Sequence, residues 1–308
     1  MIKKLKSFLL TALIGGSFYS NAQINVQDST AQAVAYWSKS DLQKYKVYYN
    51  KYKIKENDTI STEKTTYNVD IKVVGAEPDS YTMEWFYHDY NMETDNQLLK
   101  KINTIANDVT IRFKTDQFGA FKEVLNWKKV SKRIGKSVKA LQKELKGLPQ
   151  IKELFASLEN SYKTKESIEG NAIKDILQYY AFHGSLFKLN EKLTGETLSL
   201  NNLGGEPFKT TIEVSLDEID PTNDTYIIRM KNTIDSQQLT HETYQYLKNL
   251  KMFGDQLPKE EDFPVLTNET YTVSRIHGAT GWVVYSMESK ESVSDGVLQV
   301  EQRVIEIQ

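Results

Sequence analysis

The chain has 308 residues, which is long enough for one large or two small domains with a substantial core. It contains no cysteine, which excludes disulfides, thiol chemistry and lipid attachment at a lipobox. With 39 basic and 41 acidic residues its net charge is −2, so the charge balance does not indicate a nucleic-acid-binding protein.

Residues 1–22 have the pattern of a secretory signal peptide. Three lysines precede an apolar run from Phe8 to Phe18, and Ser20-Asn21-Ala22 places small residues before a cut at Gln23. That run is too short to span a bilayer, and no later stretch approaches such a length. We therefore expect an exported chain without a transmembrane segment, in the periplasm, associated with the outer membrane or released. Loss of the three lysines leaves 36 basic and 41 acidic residues.

Residues 23–40 are polar and small, which predicts a flexible leader. The remainder, 41–308, is predicted to be a single α+β domain with three parts. These are a β-rich half 41–125, a helical insert 126–184 and a second β-rich half 185–308. In the first half, apolar and polar residues alternate along the strands, with Tyr81, Met83, Trp85 and Tyr87 on one side, as in a sheet with one buried face.

The helical insert opens with a strongly basic amphipathic helix. Apolar residues recur every three or four positions, which places them on one stripe: Trp127, Val130, Ile134, Val138, Leu141, Leu145 and Leu148. The basic residues between them are Lys128, Lys129, Lys132, Arg133, Lys136, Lys139, Lys143 and Lys146. Glu144 is the one acidic residue, so residues 126–148 carry +7. Two further apolar helices follow, and we expect the insert to cover the apolar face of a large curved antiparallel sheet.

The two β-rich halves share an order of elements. Each has three strands, a helix and two strands joined by a glycine-bearing turn, at Gln117-Phe118-Gly119 and at His277 to Gly281. This order suggests a pseudo-repeat, which we keep as a hypothesis because the residues of the two halves are not alike.

No catalytic, cofactor or metal motif stands out. His241-Glu242 begins like a zinc-protease helix, but Gln245 stands where the second ligand belongs. Acidic turns such as 217–224 lack the spacing of a calcium loop. We therefore predict no catalytic residue, no metal and no cofactor. An undetected hydrolase, with Glu84 and His88 converging in a cleft, is kept as a further alternative.

Aromatic residues are abundant, with 18 Tyr, 12 Phe and 4 Trp. They indicate either a core under covering helices or an aromatic-lined groove that binds a carbohydrate or an apolar or amphipathic, lipid-like ligand. For the groove we predict the ligand-binding residues Tyr48, Tyr52, Trp85, Tyr87 and Trp127.

The lysine face of the basic helix also has two interpretations. It is either a solvated face whose side chains cover the core, or a surface that docks an acidic partner or an anionic membrane. For the second interpretation we predict the contact residues Lys132, Lys136, Lys139 and Lys143.

The alternating strands, the covering helices and the signal peptide together resemble the curved-sheet periplasmic carriers of lipids and lipoproteins, at the level of architecture. The chain is also similar to uncharacterised secreted proteins of Gram-negative bacteria whose strands end in a Gly-Trp-Val step, here Gly281-Trp282-Val283. The resemblance implies a non-enzymatic envelope protein that binds an apolar ligand between sheet and helices. A structural or interaction module acting through the basic helix is the alternative.

Overall fold

The structure, a computed structural model, describes residues 23–94, 97–145, 151–201, 203–250, 257–294 and 296–308. The predicted signal peptide, together with Lys146 and Leu148 of the predicted basic helix, lies outside these ranges. The strands are β1 Ile24–Asn25, β2 Thr30–Gln32, β3 Leu42–Lys55, β4 Asp58–Glu77, β5 Ser80–Glu93, β6 Val109–Asp116, β7 Phe121–Val124, β8 Leu186–Lys188, β9 Lys192–Ser199, β10 Phe208–Asp220, β11 Thr225–Ile234, β12 Thr267–His277, β13 Val283–Ser294 and β14 Val297–Ile307. The α-helices are α1 Gln97–Asn103, α2 Trp127–Glu144, α3 Ile151–Ser161, α4 Lys165–Ser167, α5 Lys174–Tyr179 and α6 Ser236–Leu250.

Eleven of these strands form one curved antiparallel sheet, in the spatial order β7-β6-β5-β4-β3-β14-β13-β12-β11-β10-β9. The two halves of the chain join where β3 pairs with β14, with Tyr45 opposite Ile307 and Lys55 opposite Val297. This arrangement confirms the predicted α+β fold with a large antiparallel sheet built from two β-rich halves.

The order of elements is the same in both halves. The first half runs β3, β4, β5, α1, β6 and β7, and the second runs β9, β10, β11, α6, β12 and β13. In both, strands that follow one another in the sequence are also neighbours in the sheet. The strand order is therefore alike in the two halves, as the pseudo-repeat hypothesis requires, and β14 is the additional strand that joins them.

One face of the large sheet, here called the inner face, carries the core. On β4 the side chains of Val69, Ile71 and Val73 are fully buried, while the residues between them are at least partly accessible. The helices α2, α3 and α5 pack their apolar residues into the same core, which explains why the strands alternate. No helix in the described part of the chain is long and apolar enough to cross a membrane.

The helix α2 buries the predicted stripe, with Val130, Ile134 and Val138 all inaccessible to solvent. The last helix predicted for the insert, about 165–182, is divided into the single turn α4, a π-turn Ile168–Ala172 and α5. The division places Asp175 within a short helix that lies against the sheet.

The segment 23–40 differs from the predicted flexible leader. It forms β1 and β2, which pair with each other and then with β8 as a separate three-stranded sheet. Its continuation passes between the two glycine-bearing turns, where Ala35 N donates to Phe118 O (3.0 Å) and Tyr36 N donates to Thr280 O (3.2 Å). Ala35 is 2% exposed and Trp37 is 4% exposed. The small residues that suggested a loose leader are the ones that allow the backbone to pass so closely between the turns.

Candidate functional site

A cavity of about 350 Å³ lies between the inner face of the first half and the helices that cover it. Strands β3 to β6 and β14 form its sheet side, while α1, α3, the π-turn and α5 contribute to its helical side. The apolar part of the lining comes from both sides: Ile102, Ile105, Val109, Ile111 and Leu158. Five tyrosines also line the cavity: Tyr49, Tyr67, Tyr87, Tyr90 and Tyr162.

Three of these tyrosines, Tyr67, Tyr87 and Tyr90, form a contiguous aromatic wall. The rings of Tyr67 and Tyr90 stack with centroids 4.5 Å apart, and the ring of Tyr87 lies 5.9 Å from that of Tyr67. Burial raises the pKa values of Tyr67, Tyr87 and Tyr90 well above the ordinary value, and it raises the pKa of Tyr162 to about 12. These phenols are therefore neutral near pH 7 and act as hydrogen-bond donors inside the cavity.

Asp175 places a carboxylate in this wall, although the residue is only 4% exposed. Tyr87 donates to its Oδ1 (2.7 Å) and Tyr67 donates to its Oδ2 (3.1 Å). The backbone N–H of Ile176 also donates to Oδ1 (3.0 Å). Burial raises the pKa of Asp175, while the positive charge of Arg303 and these hydrogen bonds act in the opposite direction. The carboxylate is thus occupied by partners from its own protein.

The helix α5 holds Asp175 in place because it is fixed to the sheet one turn further on. The hydroxyls of Tyr179 and Tyr45 lie 2.7 Å apart, and Tyr179 Oη accepts from Val283 N (3.2 Å). Gln178 Nε2 donates to Ser286 Oγ (3.0 Å). A six-residue helix has little stability of its own, so these contacts to the sheet determine its position.

Two cations also line the cavity. Arg303 of β14 donates from Nη1 to Glu288 Oε1 (3.1 Å) and to Gln178 Oε1 (3.3 Å), and its guanidinium lies 5.4 Å from the ring centroid of Tyr49. Lys174 is exposed, so it lies where the cavity opens to solvent. Among the described residues, no carboxylate is within ion-pair distance of Lys174 Nζ.

Of the five residues predicted for a ligand groove, Tyr87 lines the cavity and the other four do not. Trp85 is fully buried beneath it, with its ring 6.3 Å from that of Tyr87. Tyr48 and Tyr52 alternate with the inner-face residues of β3 and therefore point to the opposite face of the sheet. Trp127 begins α2 and packs against the core, partly buried, at a position outside the cavity lining. Apart from Tyr87, the aromatic residues that line the cavity differ from those predicted from the sequence.

The four lysines predicted for partner binding, Lys132, Lys136, Lys139 and Lys143, are all exposed on α2. None of them forms an ion pair with a described residue. Together with Lys128 and Lys129 they form the basic face of α2, opposite the buried stripe. The helix α2 itself packs against α3 and against the 3₁₀ turn Thr104–Ala106, two elements that also line the cavity.

The residues that sequence analysis missed come from distant parts of the chain. Tyr67 reaches Asp175 across 108 residues, as the predicted Tyr87 does across 88, and Arg303 comes from the last strand. Asp175 had one detectable signal, because it is an acidic residue between the apolar residues Ile173 and Ile176 of a helix. Arg303 had no such signal in its strand.

The residues considered for hydrolysis do not converge. Glu84 pairs with Arg112 (2.5 Å), whereas His88 lies between Asp89 (2.7 Å) and Asp70 (3.3 Å) and stacks on Phe86. In the part of the chain that the structure describes, no group of three or more His, Asp or Glu side chains is placed to hold a metal ion.

Comparisons with known proteins assign no family to this chain. No family model and no curated protein matches it. Among solved structures it is similar to one described as lipid-protein interactions in lipovitellin, with a TM-score of 0.41 and 10% identity over 88% of this chain and 25% of that one. It is also similar to a porin-like protein from Bacteroides uniformis ATCC 8492, with a TM-score of 0.17 and 8% identity over 89% of this chain and 98% of that one. The chain spans about a quarter of the lipovitellin chain, and at such TM-scores neither likeness is evidence for what this protein binds.

Proposed function

We propose that this chain is an exported, non-enzymatic envelope protein that binds an apolar or amphipathic ligand in the cavity between sheet and helices. The observation that supports this is the cavity itself, about 350 Å³ lined by five tyrosines and by aliphatic side chains from both layers. Its volume lies at the lower end of the range of about 300–1,000 Å³ for small-molecule sites, which fits one single-chain ligand.

The lining favours a binding role because its carboxylate and its guanidinium are held by structural partners. Asp175 accepts three hydrogen bonds from its own chain, and Arg303 is paired with Glu288. An apolar ligand would gain free energy by removing the exposed parts of Ile102 and Leu158 from water.

The experiment is to purify the protein from its own host and to examine it by native mass spectrometry and by lipid extraction. We expect a bound apolar or amphipathic molecule, and binding of the neutral fluorophore N-phenyl-1-naphthylamine after delipidation. Ala106→Phe adds a ring to the cavity wall and should weaken binding of the fluorophore.

Ala140→Phe is the matched control, because Ala140 is exposed on α2 and lies outside the cavity. It should leave the affinity unchanged. A protein that carries no ligand and whose fluorophore binding is the same in both variants would rule the proposal out.

A second candidate function is docking to an anionic membrane surface through the basic face of α2. It is supported by the exposure of all six lysines of that face and by the burial of the opposite stripe, which leaves the lysines free to contact head groups. Each basic residue near an anionic leaflet contributes about 1 kcal/mol, so the sum over the face is sufficient for reversible attachment.

Flotation with phosphatidylcholine vesicles, with and without phosphatidylglycerol, tests this second function. We expect salt-sensitive binding to the anionic vesicles alone, and its loss when Lys132, Lys136, Lys139 and Lys143 are changed to Glu. The control variant changes four exposed lysines on separate elements to Glu, which makes the same change in net charge: Lys39, Lys55, Lys72 and Lys209. Equal loss in both variants would point to net charge alone, and capture of an acidic protein without vesicle binding would point to a protein partner.

A further inference from the structure

The wall of the cavity offers hydrogen-bond donors that have no partner in the protein. The buried Nδ2 of Asn103 lines the cavity and has no hydrogen-bonding partner among the described residues. Within the same ranges, the hydroxyls of Tyr90 and Tyr162 form no hydrogen bond. A buried donor such as Asn103 Nδ2 is costly unless a bound molecule or water accepts from it, and the hydroxyls of the half-buried Tyr90 and Tyr162 can donate to either.

The charged side chains that line the cavity are two cations, Lys174 and Arg303, and one carboxylate, Asp175. Arg303 uses Nη1 for both of its side-chain hydrogen bonds to described residues, which leaves the donors of Nε and Nη2. Lys174 contributes a second cation at the opening. The carboxylate of Asp175 already accepts from two phenols and a backbone N–H, which use most of its acceptor sites.

We infer that the cavity recognises its ligand by an oxyanion head, a carboxylate or a phosphate on a single apolar chain, with the head at Lys174 and Arg303. This inference rests on the proposed ligand-binding function and specifies the class of ligand. The apolar chain would lie against Ile102, Ile105 and Leu158, which line the cavity on its helical side.

An aromatic wall can also bind a ligand with a cationic head, because tyrosine rings attract cations. Here the guanidinium of Arg303 already lies over the ring of Tyr49, 5.4 Å from its centroid. A cationic ligand would therefore meet like charge from Arg303 and Lys174, while its natural counter-ion Asp175 is enclosed by Tyr67 and Tyr87.

The surroundings of Lys174 agree with an anion site. Partial removal from water lowers the pKa of Lys174, and the positive charge of the neighbouring Lys290 lowers it further, although Glu301 opposes this. An oxyanion beside Lys174 would relieve the repulsion between these cations and would form a charge-assisted hydrogen bond.

The test compares four ligands of one chain length as competitors of N-phenyl-1-naphthylamine bound to the delipidated protein: dodecanoate, dodecyl phosphate, dodecanol and dodecylammonium. We expect the two anions to bind about tenfold or more tightly than dodecanol, since a hydrogen bond to a charged group contributes on this scale. The ratio of dodecanoate to dodecyl phosphate then identifies the head. Lys174→Gln should remove most of the preference for anions, Lys174→Arg should restore it, and Lys136→Gln on α2 should leave it intact.

The outcomes separate this inference from the proposed function. Equal affinity for dodecanol and the anions, or a preference for dodecylammonium, would overturn the anionic head while ligand binding in the cavity stands. Binding of none of the four, with no displacement of the fluorophore, would overturn the proposed function and this inference with it.

Discussion

Trp37 stacks on Trp282 with ring centroids 4.7 Å apart and an interplanar angle of 26°. The pair connects the N-terminal segment to the second β-rich half, and Trp37 also contacts Tyr81 of the first half and His183 (ring centroids 5.3 and 5.6 Å). A side chain of the supposed leader thus lies at the contact between both halves of the sheet and the end of the helical insert.

Trp37→Ala should therefore destabilise the whole chain. Removal of a buried tryptophan costs about 3–5 kcal/mol, because the lost contacts leave a cavity that relaxes only in part. Tyr36→Ala is the matched control, since Tyr36 is the adjacent aromatic residue and is 55% exposed. Urea unfolding measures both free energies, and similar costs for the two variants would show that the segment is attached loosely.

The N-terminal segment also shows where sequence periodicity fails. The stripe of Val130, Ile134 and Val138 was predictable, because local spacing alone places these residues on one side of a helix. Ala35 is buried for a different reason, which is that two turns from distant parts of the chain enclose it. This close packing between the turns depends on tertiary structure, and small side chains in a polar segment do not predict it.

The turn at Gly281 should not accept any side chain. Gly281 has φ +72°, and a Cβ there would lie 2.1 Å from the backbone oxygen of Val34. Gly281→Ala should cost at least about 1–2 kcal/mol from the left-handed backbone alone, and more from displacement of Val34.

Gly135→Ala is the opposite control for this turn. Gly135 is within α2 and a Cβ there meets nothing within 4 Å, so alanine should stabilise the helix by about 1 kcal/mol. Thermal unfolding of the two variants should shift in opposite directions. A shift of the same sign in both would contradict the close passage of the N-terminal segment at Gly281.

His183 should make the stability of the protein depend on pH. It is 4% exposed, its Nε2 donates to Gly281 O (2.9 Å), and its buried Nδ1 has no partner among the described residues. Burial lowers the pKa of His183 to about 4, against the opposing effects of the Gly281 carbonyl and Asp116. Because the folded pKa lies below the unfolded one, this stability is fully present above about pH 6.5 and is lost as pH falls through about 4, a change of about 3 kcal/mol.

The measurement is the free energy of unfolding at a series of pH values for the wild type, His183→Gln and Tyr180→Phe. His183→Gln keeps an amide donor for Gly281 O but cannot titrate, so the loss of stability between about pH 6.5 and 4 should shrink. Tyr180→Phe removes a neighbouring buried hydroxyl without a partner among the described residues, and it should keep the pH dependence of the wild type. An unchanged slope in His183→Gln would assign the dependence to other groups.

An aromatic surface under the helices could be predicted from the sequence, but most of the residues that line the cavity could not. Alternation along β5 identified Tyr87, and the excess of tyrosine indicated an aromatic surface under the helices. Tyr48 and Tyr52 lie on the face opposite the cavity, because alternation along one strand does not say which face of the sheet the helices cover. Asp175 becomes part of the site only through residues 88 and 108 positions away, which no local pattern connects.

Tyr87 and Tyr48 offer a direct comparison between the two faces of the sheet. Tyr87→Phe removes the 2.7 Å hydrogen bond to Asp175 Oδ1, and loss of a bond to a buried charged group costs about 1.5–3 kcal/mol. Tyr48→Phe changes the same atom on the opposite face, where the hydroxyl has no hydrogen-bonding partner among the described residues, and should cost less than about 0.5 kcal/mol.

The free-energy penalty of Tyr87→Phe should also depend on pH. The raised pKa of Asp175 means that its carboxylate form is the destabilised one, so protonation of Asp175 relieves the loss of the hydrogen bond. Urea unfolding near pH 7, and at the lowest pH at which both variants remain folded, should therefore show a large difference between them that narrows in acid. A difference that is absent near pH 7, or that grows in acid, would contradict the placement of Asp175 as a buried carboxylate held by the tyrosine wall.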